Sequence, residues 1–273
     1  GGSTGGSTGG STGGRIAAMV LRHVYLMRTS WPRVFELMYW PTIQMVLWGF
    51  ITLYLQQHDS VIARATGVLI SAVLLWDVLF RGQLGFTLSF LEELWSRNLG
   101  NLAVSPLRPI ELLGALTVMS LLRTLIGVLP ATGLAIVFYK VSVYDLGLPL
   151  VAFFSCLMLM GWSIGMMVSA LILRVGLGAE SVAWLAIFLI APISAIYYPV
   201  SVLPDWLQWL AWCLPTAPTF EGMRAVLIDG SFRLDLLLHA LALNAIYLAA
   251  GAGCFLYAFH VARRRGLLLQ VGE

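Results

Sequence analysis

The chain has 273 residues, 59% of them hydrophobic and only 11% charged, with a net charge of +3. A soluble globular domain carries about 25% charged residues, so this composition excludes one. Apolar stretches of membrane-spanning length recur along the chain, and the expected class is an all-α integral membrane protein.

Residues 1–14 are three GGST repeats and a glycine pair. They read as an engineered flexible linker and are set aside. In residues 15–32, Ile16, Met19, Val20, Val24 and Met27 recur at helical spacing, with Arg15, Arg22, His23 and Arg28 between them. That pattern predicts an amphipathic helix lying on an anionic leaflet, ended by Trp31-Pro32.

Residues 33–266 are read as a six-span transmembrane domain, followed by a tail over 267–273. The first span is expected over roughly residues 34–55, with Pro41 inside it. The second, roughly 61–84, holds Asp77 and Arg81, an i,i+4 pair on one helix face. Charges in a span pair or face the bundle interior, and a structural ion pair is the expected role. The third span, roughly 112–139, has Arg123 in its middle. The fourth, roughly 149–173, carries Gly161, Ser163, Gly165 and Ser169, small residues that let helix backbones approach. The fifth is expected over roughly 181–198 and the sixth over roughly 234–259.

Two segments break the pattern. The first, 91–110, is a polar island with Glu92, Glu93, Arg97, Asn98, Arg108 and a Ser105-Pro106 break, yet it keeps Trp95, Leu99 and Leu102. A loop between spans has no need of that apolar content; a short amphipathic helix offered to a soluble partner does. The second, 203–230, opens at Pro204-Asp205, repeats tryptophan at Trp206, Trp209 and Trp212, breaks at Leu214-Pro215, and continues through Glu221 and Arg224. Each half is too short to cross a bilayer core of about 30 Å. Two short helices at or partly inside the interface are expected, with the tryptophans at headgroup level. Glu221 and Arg224 stand one turn apart and are expected to pair.

With six spans, one side holds Arg15, Arg22, Arg28, Arg33, Arg97, Arg108, Arg174, Arg263, Arg264 and Arg265, and the other holds Arg64, Lys140, Arg224 and Arg233. The positive-inside rule puts both termini and the polar island in the cytoplasm and the tryptophan-rich hairpin outside. The single lysine, Lys140, lies in a short loop, so no phosphate-cradling G-x-x-x-x-G-K-[ST] loop exists. Histidines and cysteines are scattered, which argues against a metal site, and no cofactor is expected in the chain.

Six spans, a long cytoplasmic loop and a late external hairpin resemble the membrane (permease) subunit of ABC transporters, in the ABC type 2 exporter family. Asn98–Leu107, N-L-A-N-L-A-V-S-P-L, is similar to the family's coupling helix and the break after it. Tyr197-Tyr198-Pro199, Leu203-Pro204, Trp206, Leu214-Pro215-Thr216 and Glu221-x-x-Arg224 are similar to its re-entrant hairpin. The resemblance implies a half-transporter that pairs with a second copy in the cell membrane, here a bacterial inner membrane. It also implies docking on a cytoplasmic ABC ATPase subunit, which holds ATP and Mg. The implied cargo is a lipid, a lipid-linked glycan or a hydrophobic small molecule; nucleic acid is not an expected partner. Docking then falls to Glu92, Glu93, Trp95, Arg97, Asn98, Leu99, Leu102, Ser105 and Pro106. The outer gate falls to Tyr197, Tyr198, Pro204, Trp206, Pro215, Glu221 and Arg224. A pathway lined by the first, second and fifth spans is implied, with Trp48, Phe50, Trp76 and Tyr197 as candidate lining aromatics. Two other readings stay open: an intramembrane lipid-modifying enzyme, built on Glu36, Asp77, Arg81 and Arg123 converging at one depth, and a non-catalytic scaffold.

Overall fold

The computed structural model describes residues 11–29, 31–56, 60–96, 107–140, 143–176, 179 and 181–265. Among these every regular element is a helix and there is no strand. The helices are α1 (Thr12–Thr29), α2 (Trp31–Gln56), α3 (Ser60–Trp95), α4 (Pro109–Tyr139), α5 (Leu148–Val175), α6 (Ser181–Ile190), α7 (Asp205–Trp212), α8 (Thr216–Asp229) and α9 (Leu234–Arg264).

Four of the six expected spans, within α3, α4, α5 and α9, are long and apolar enough to cross a membrane. At 1.5 Å per residue, a 28-residue helix such as α5 is about 42 Å long, ample for a core of about 30 Å. Shorter apolar stretches lie in α2, over Leu37–Ile51, and in α6.

The fifth expected span is where sequence and structure part. Helix α6 has 10 residues, about 15 Å of rise, and the chain then turns over 191–198. Pro192 and Pro199 explain the break, because proline donates no backbone hydrogen bond and disfavours helix in the residue before it. The apolar run continues through the turns, which is why composition alone reads it as one span. The second span also differs: α3 continues without a break past residue 84 to Trp95, so the polar island begins while the chain is still helical.

Helix α5 is the centre of the bundle, packed between α3 and α9. The contact is backbone to backbone. A Cβ on Gly161 would come within 2.9 Å of Gln83 N and Leu79 O, and one on Gly165 within 2.9 Å of Phe86 Cβ. On the other side, a Cβ on Gly251 of α9 would reach 2.8 Å from Ser163 O. These small residues do what their spacing predicts: they remove the side-chain layer and bring helix axes together. Phe86, Phe90 and Phe255 fill the space beside the seam in edge-to-face pairs, a favoured ring geometry.

Candidate functional site

Asp77, Arg81, Leu84, Gly85, Leu88, Glu92 and Trp95 follow one another at short steps that bring them onto one stripe of α3. The stripe carries charge at both ends and is apolar between. Arg81 Nε donates to Asp77 Oδ2 at 2.6 Å, closing the i,i+4 pair expected from the sequence. Arg123 of α4 donates through Nη2 to Glu92 Oε2, also at 2.6 Å. Both pairs are largely buried, where a lone charge would cost several kcal/mol, on the order of 3–5.

The stripe forms one wall of a cavity of about 630 Å³, within the usual range for a small-molecule site. Tyr39 and Trp40 of α2, Phe80 of α3 and Trp184 of α6 give it aromatic walls. Arg81, Glu92 and Arg123 are its charged lining. A separate cavity of about 60 Å³ lies on the Asp77 side, lined by Pro41, Gln44 and Trp76 among others. Gly127 of α4 seats the arginine: a Cβ there would come within 2.5 Å of Arg81 Nη1 and 2.7 Å of Cζ. The missing side chain lets the guanidinium lie against the α4 backbone.

At the end of α3, Glu93 is 1% exposed. Arg22 Nη1 donates to both of its oxygens at 2.9 Å, and His23 Nε2 stands 3.0 Å from Oε1. His23 Nδ1 is 3.0 Å from the Met19 carbonyl. A carbonyl and a carboxylate only accept, so the two neighbours favour the protonated ring. Burial lowers the His23 pKa, but hydrogen bonds to Glu93 and Met19 and the charges of Glu93 and Glu92 outweigh it, and the pKa rises above 6.5. A second tie joins α1 to α4, where Arg15 Nη2 meets Glu111 Oε1 at 2.9 Å. The other Glu111 oxygen accepts from the Arg108 backbone N–H at 2.9 Å, capping α4.

A separate polar cluster holds the turn after α6. Arg224 Nη2 meets Glu221 Oε1 at 3.0 Å, as the spacing predicts. Arg224 Nη1 also donates to the carbonyls of Ala195, at 2.8 Å, and Ile196, at 3.2 Å. Glu221 Oε1 accepts from the Val200 backbone N–H at 2.7 Å. Ala195 has φ of +52°, a left-handed conformation that L residues enter at a cost. The Arg224 fork holds it there.

The expected site residues fall into three groups. Arg97, Asn98, Leu99, Leu102, Ser105 and Pro106 lie outside the described residues. Glu92, Glu93 and Trp95 lie in the last turn of α3. Both carboxylates there bind arginines of the same chain, and Trp95 is 48% exposed. The outer residues gather around the turn and hairpin. Tyr197 stacks on Trp48 of α2, ring centres 5.1 Å apart. Tyr198 donates to the Pro192 carbonyl. Pro204 and Pro215 immediately precede α7 and α8. Trp206 and Trp209 are more than two-thirds exposed, while Trp212 stacks on His239 of α9.

Of the candidate lining aromatics, Trp76 faces the small cavity and Phe50 is exposed. The large cavity is walled instead by Trp40 and Trp184, which the sequence does not single out. Among the described residues its lining contains no Ser, Thr, Cys or His. Among the described residues no group of three or more His, Cys, Asp or Glu is placed to hold a metal ion.

In comparisons with known proteins, residues 42–259 match the model of the ABC-2 family transporter protein. The chain belongs to the ABC-2 transporter family. No curated protein matches it. As an ABC-2 membrane subunit it works with a separate ABC ATPase subunit, and the match spans everything from the middle of α2 to near the end of α9. The α3 stripe, Arg123, Trp184 and the Glu221–Arg224 clamp lie inside the matched region, while the cavity's Met27, Leu37, Tyr39 and Trp40 lie before it. Helix α1, with Arg22 and His23, lies before it.

Proposed function

We propose that this chain is one half of an ATP-driven exporter. Two copies pair, each docked on a cytoplasmic ATPase subunit that carries ATP and Mg. Together they move a lipid, a lipid-linked glycan or a hydrophobic small molecule outward by alternating access. Counted on six spans, the arginine distribution puts both termini in the cytoplasm, and the family resemblance points to a bacterial inner membrane. The tryptophan-rich α7–α8 hairpin then lies outside, with Tyr197, Tyr198 and the Glu221–Arg224 clamp at the outer gate.

One observation carries the reading. Trp95 lines the large cavity and is also half exposed at the point where α3 enters the polar island. A push on 91–110 therefore acts on the cavity wall through one continuous helix, the rigid-body coupling such a machine requires. Docking narrows accordingly. Glu93 is sealed against Arg22 and His23, and Glu92 is engaged by Arg123, so neither serves as a rim charge. Contact with the ATPase subunit falls to Trp95, Leu99 and Leu102, with Arg97 and Asn98 at the edge.

The test is the activity of the cognate ATPase subunit with and without this protein in nanodiscs, beside a Trp95→Ala, Leu99→Ala variant. Co-purification with the wild type, and loss of coupling in a folded variant, are the expected results. An ATPase subunit that does not bind, or a variant that couples like wild type, refutes the reading.

A further inference from the structure

The large cavity has a polarity of its own. Its charged lining is two arginines and one glutamate. Both carboxylates of the stripe already accept from an arginine: Asp77 from Arg81 Nε, and Glu92 from Arg123 Nη2. The groups left over are donors. Among the described residues Arg81 makes no hydrogen bond through either Nη and Arg123 none through Nη1, Arg123 Nε is buried without a partner, and both residues line the cavity. A guanidinium has five N–H donors, and unused donors in a low-dielectric site attract an acceptor, best of all an anion.

The arginines are also set close together. Gly127 seats Arg81 on α4, and Arg123 springs from the same α4 face four residues earlier, about 6 Å along the axis. Around them the walls are apolar: Phe80, Leu84 and Leu88 on α3, with Trp40 of α2 and Trp184 of α6 completing them. A ligand that suits both parts is an amphiphile. A cation would meet two guanidiniums, and an uncharged chain would leave them bare.

We propose that this cavity binds an amphiphile with an anionic head group. The head lies on the free Nη groups of Arg81 and Arg123, and the chain lies along Leu84, Leu88 and the aromatic wall. As a substrate class this rests on the exporter reading; as a binding site it stands without it.

The experiment measures binding to the full chain in nanodiscs by its tryptophan fluorescence, with empty nanodiscs as the partition reference. The probes are dodecyl phosphate, dodecyltrimethylammonium, dodecyl maltoside and inorganic phosphate. Dodecyl phosphate is expected to bind at least tenfold tighter than the cationic and neutral probes. Inorganic phosphate, lacking a chain, is expected not to bind, which separates an amphiphile's head from a free anion.

Arg81→Gln is expected to abolish the preference for the anionic head while keeping chain binding. Gly127→Ala, which retains every charge but displaces the guanidinium, is expected to weaken it several-fold. Leu88→Trp, which fills the cavity, should remove binding of all three chains. Equal affinity for the three heads overturns the proposal, as does an Arg81→Gln protein that folds and keeps the preference. No step uses the ATPase subunit. Head-group selectivity without ATPase coupling thus leaves the site standing and removes the exporter reading; coupling without selectivity does the reverse.

Discussion

His23 of α1 bridges the Met19 carbonyl and the Glu93 carboxylate, with 3.0 Å on each ring nitrogen. Both neighbours are acceptors, so the protonated ring suits this position better than either neutral tautomer. Its pKa is raised in the folded protein, burial being outweighed by Glu93 and Met19. A raised folded pKa gives stability that is fully present below the unfolded value near 6.5 and is lost as pH climbs through the folded pKa. Arg22 holds Glu93 throughout, so the tie loosens without breaking. A spin label at Leu21, which is 53% exposed, is expected to gain mobility as pH rises from 6 to 9. In His23→Gln the same label should show no such step. Equal pH profiles in the two proteins would refute this role.

The Arg123–Glu92 pair joins α4 to α3 inside the bundle. Removing the carboxylate strands the buried guanidinium, so Glu92→Ala should cost about 3–5 kcal/mol. Replacing both by leucine is expected to recover most of that loss, because two well-packed apolar side chains avoid the desolvation of both ions. Thermal unfolding of the two variants in detergent, read by fluorescence-detected size exclusion, separates these outcomes. Two variants of equal stability would show that the pair contributes little.

Gly251 and Gly253 offer a matched comparison on α9. A Cβ on Gly251 meets backbone at 2.8 Å, whereas one on Gly253 meets nothing within 4 Å. Gly251→Ala is expected to destabilise by about 1–3 kcal/mol through overpacking. Gly253→Ala should be neutral or stabilising by up to about 1 kcal/mol through helix propensity. Thermal midpoints of the two single variants check the sign.

Arg224→Lys keeps the charge and loses the fork. One guanidinium serves Glu221 and the carbonyls of Ala195 and Ile196 together. An ammonium on a flexible stem does not match that set of directions. The left-handed Ala195 then loses its support, and the turn is expected to relax. A cysteine introduced at Tyr197 should react several-fold faster with a water-soluble maleimide in the Arg224→Lys background than in wild type. Unchanged labelling would show that the turn holds itself.

Local pairs were legible in the sequence and distant ones were not. Asp77–Arg81 and Glu221–Arg224 follow from three- and four-residue spacing. Glu92–Arg123 spans 31 positions and Arg22–Glu93 spans 71, and no periodicity links them. The same gap explains the site. Trp95 and the carboxylates beside it stand out as a polar island, but the ion pairs that turn Glu92 and Glu93 inward exist only once α1 and α4 are folded against α3. The Gly161–Gly165 approach was readable because small residues at close spacing have one common use. Gly127 was not, because its purpose is an arginine on another helix. The fifth span misled for a different reason: hydropathy runs unbroken through Pro192, while hydrogen bonding does not.

The glycine seam separates a tightly interlocked part of the protein from a more loosely packed one. Where α3, α5 and α9 meet backbone to backbone, any sliding or rolling drives one main chain into another, so these three turn as a block. Helix α6 meets that block through rings, Phe80 lying 5.9 Å from Trp184 and 6.2 Å from Phe188, and rings can tilt past each other. The large cavity has one wall on α3 of the block and the others on α2, α4 and α6, with Met27 of α1. A cargo that widens the cavity therefore does so most readily on the side of Trp40 and Trp184, where the contacts are side chain to side chain.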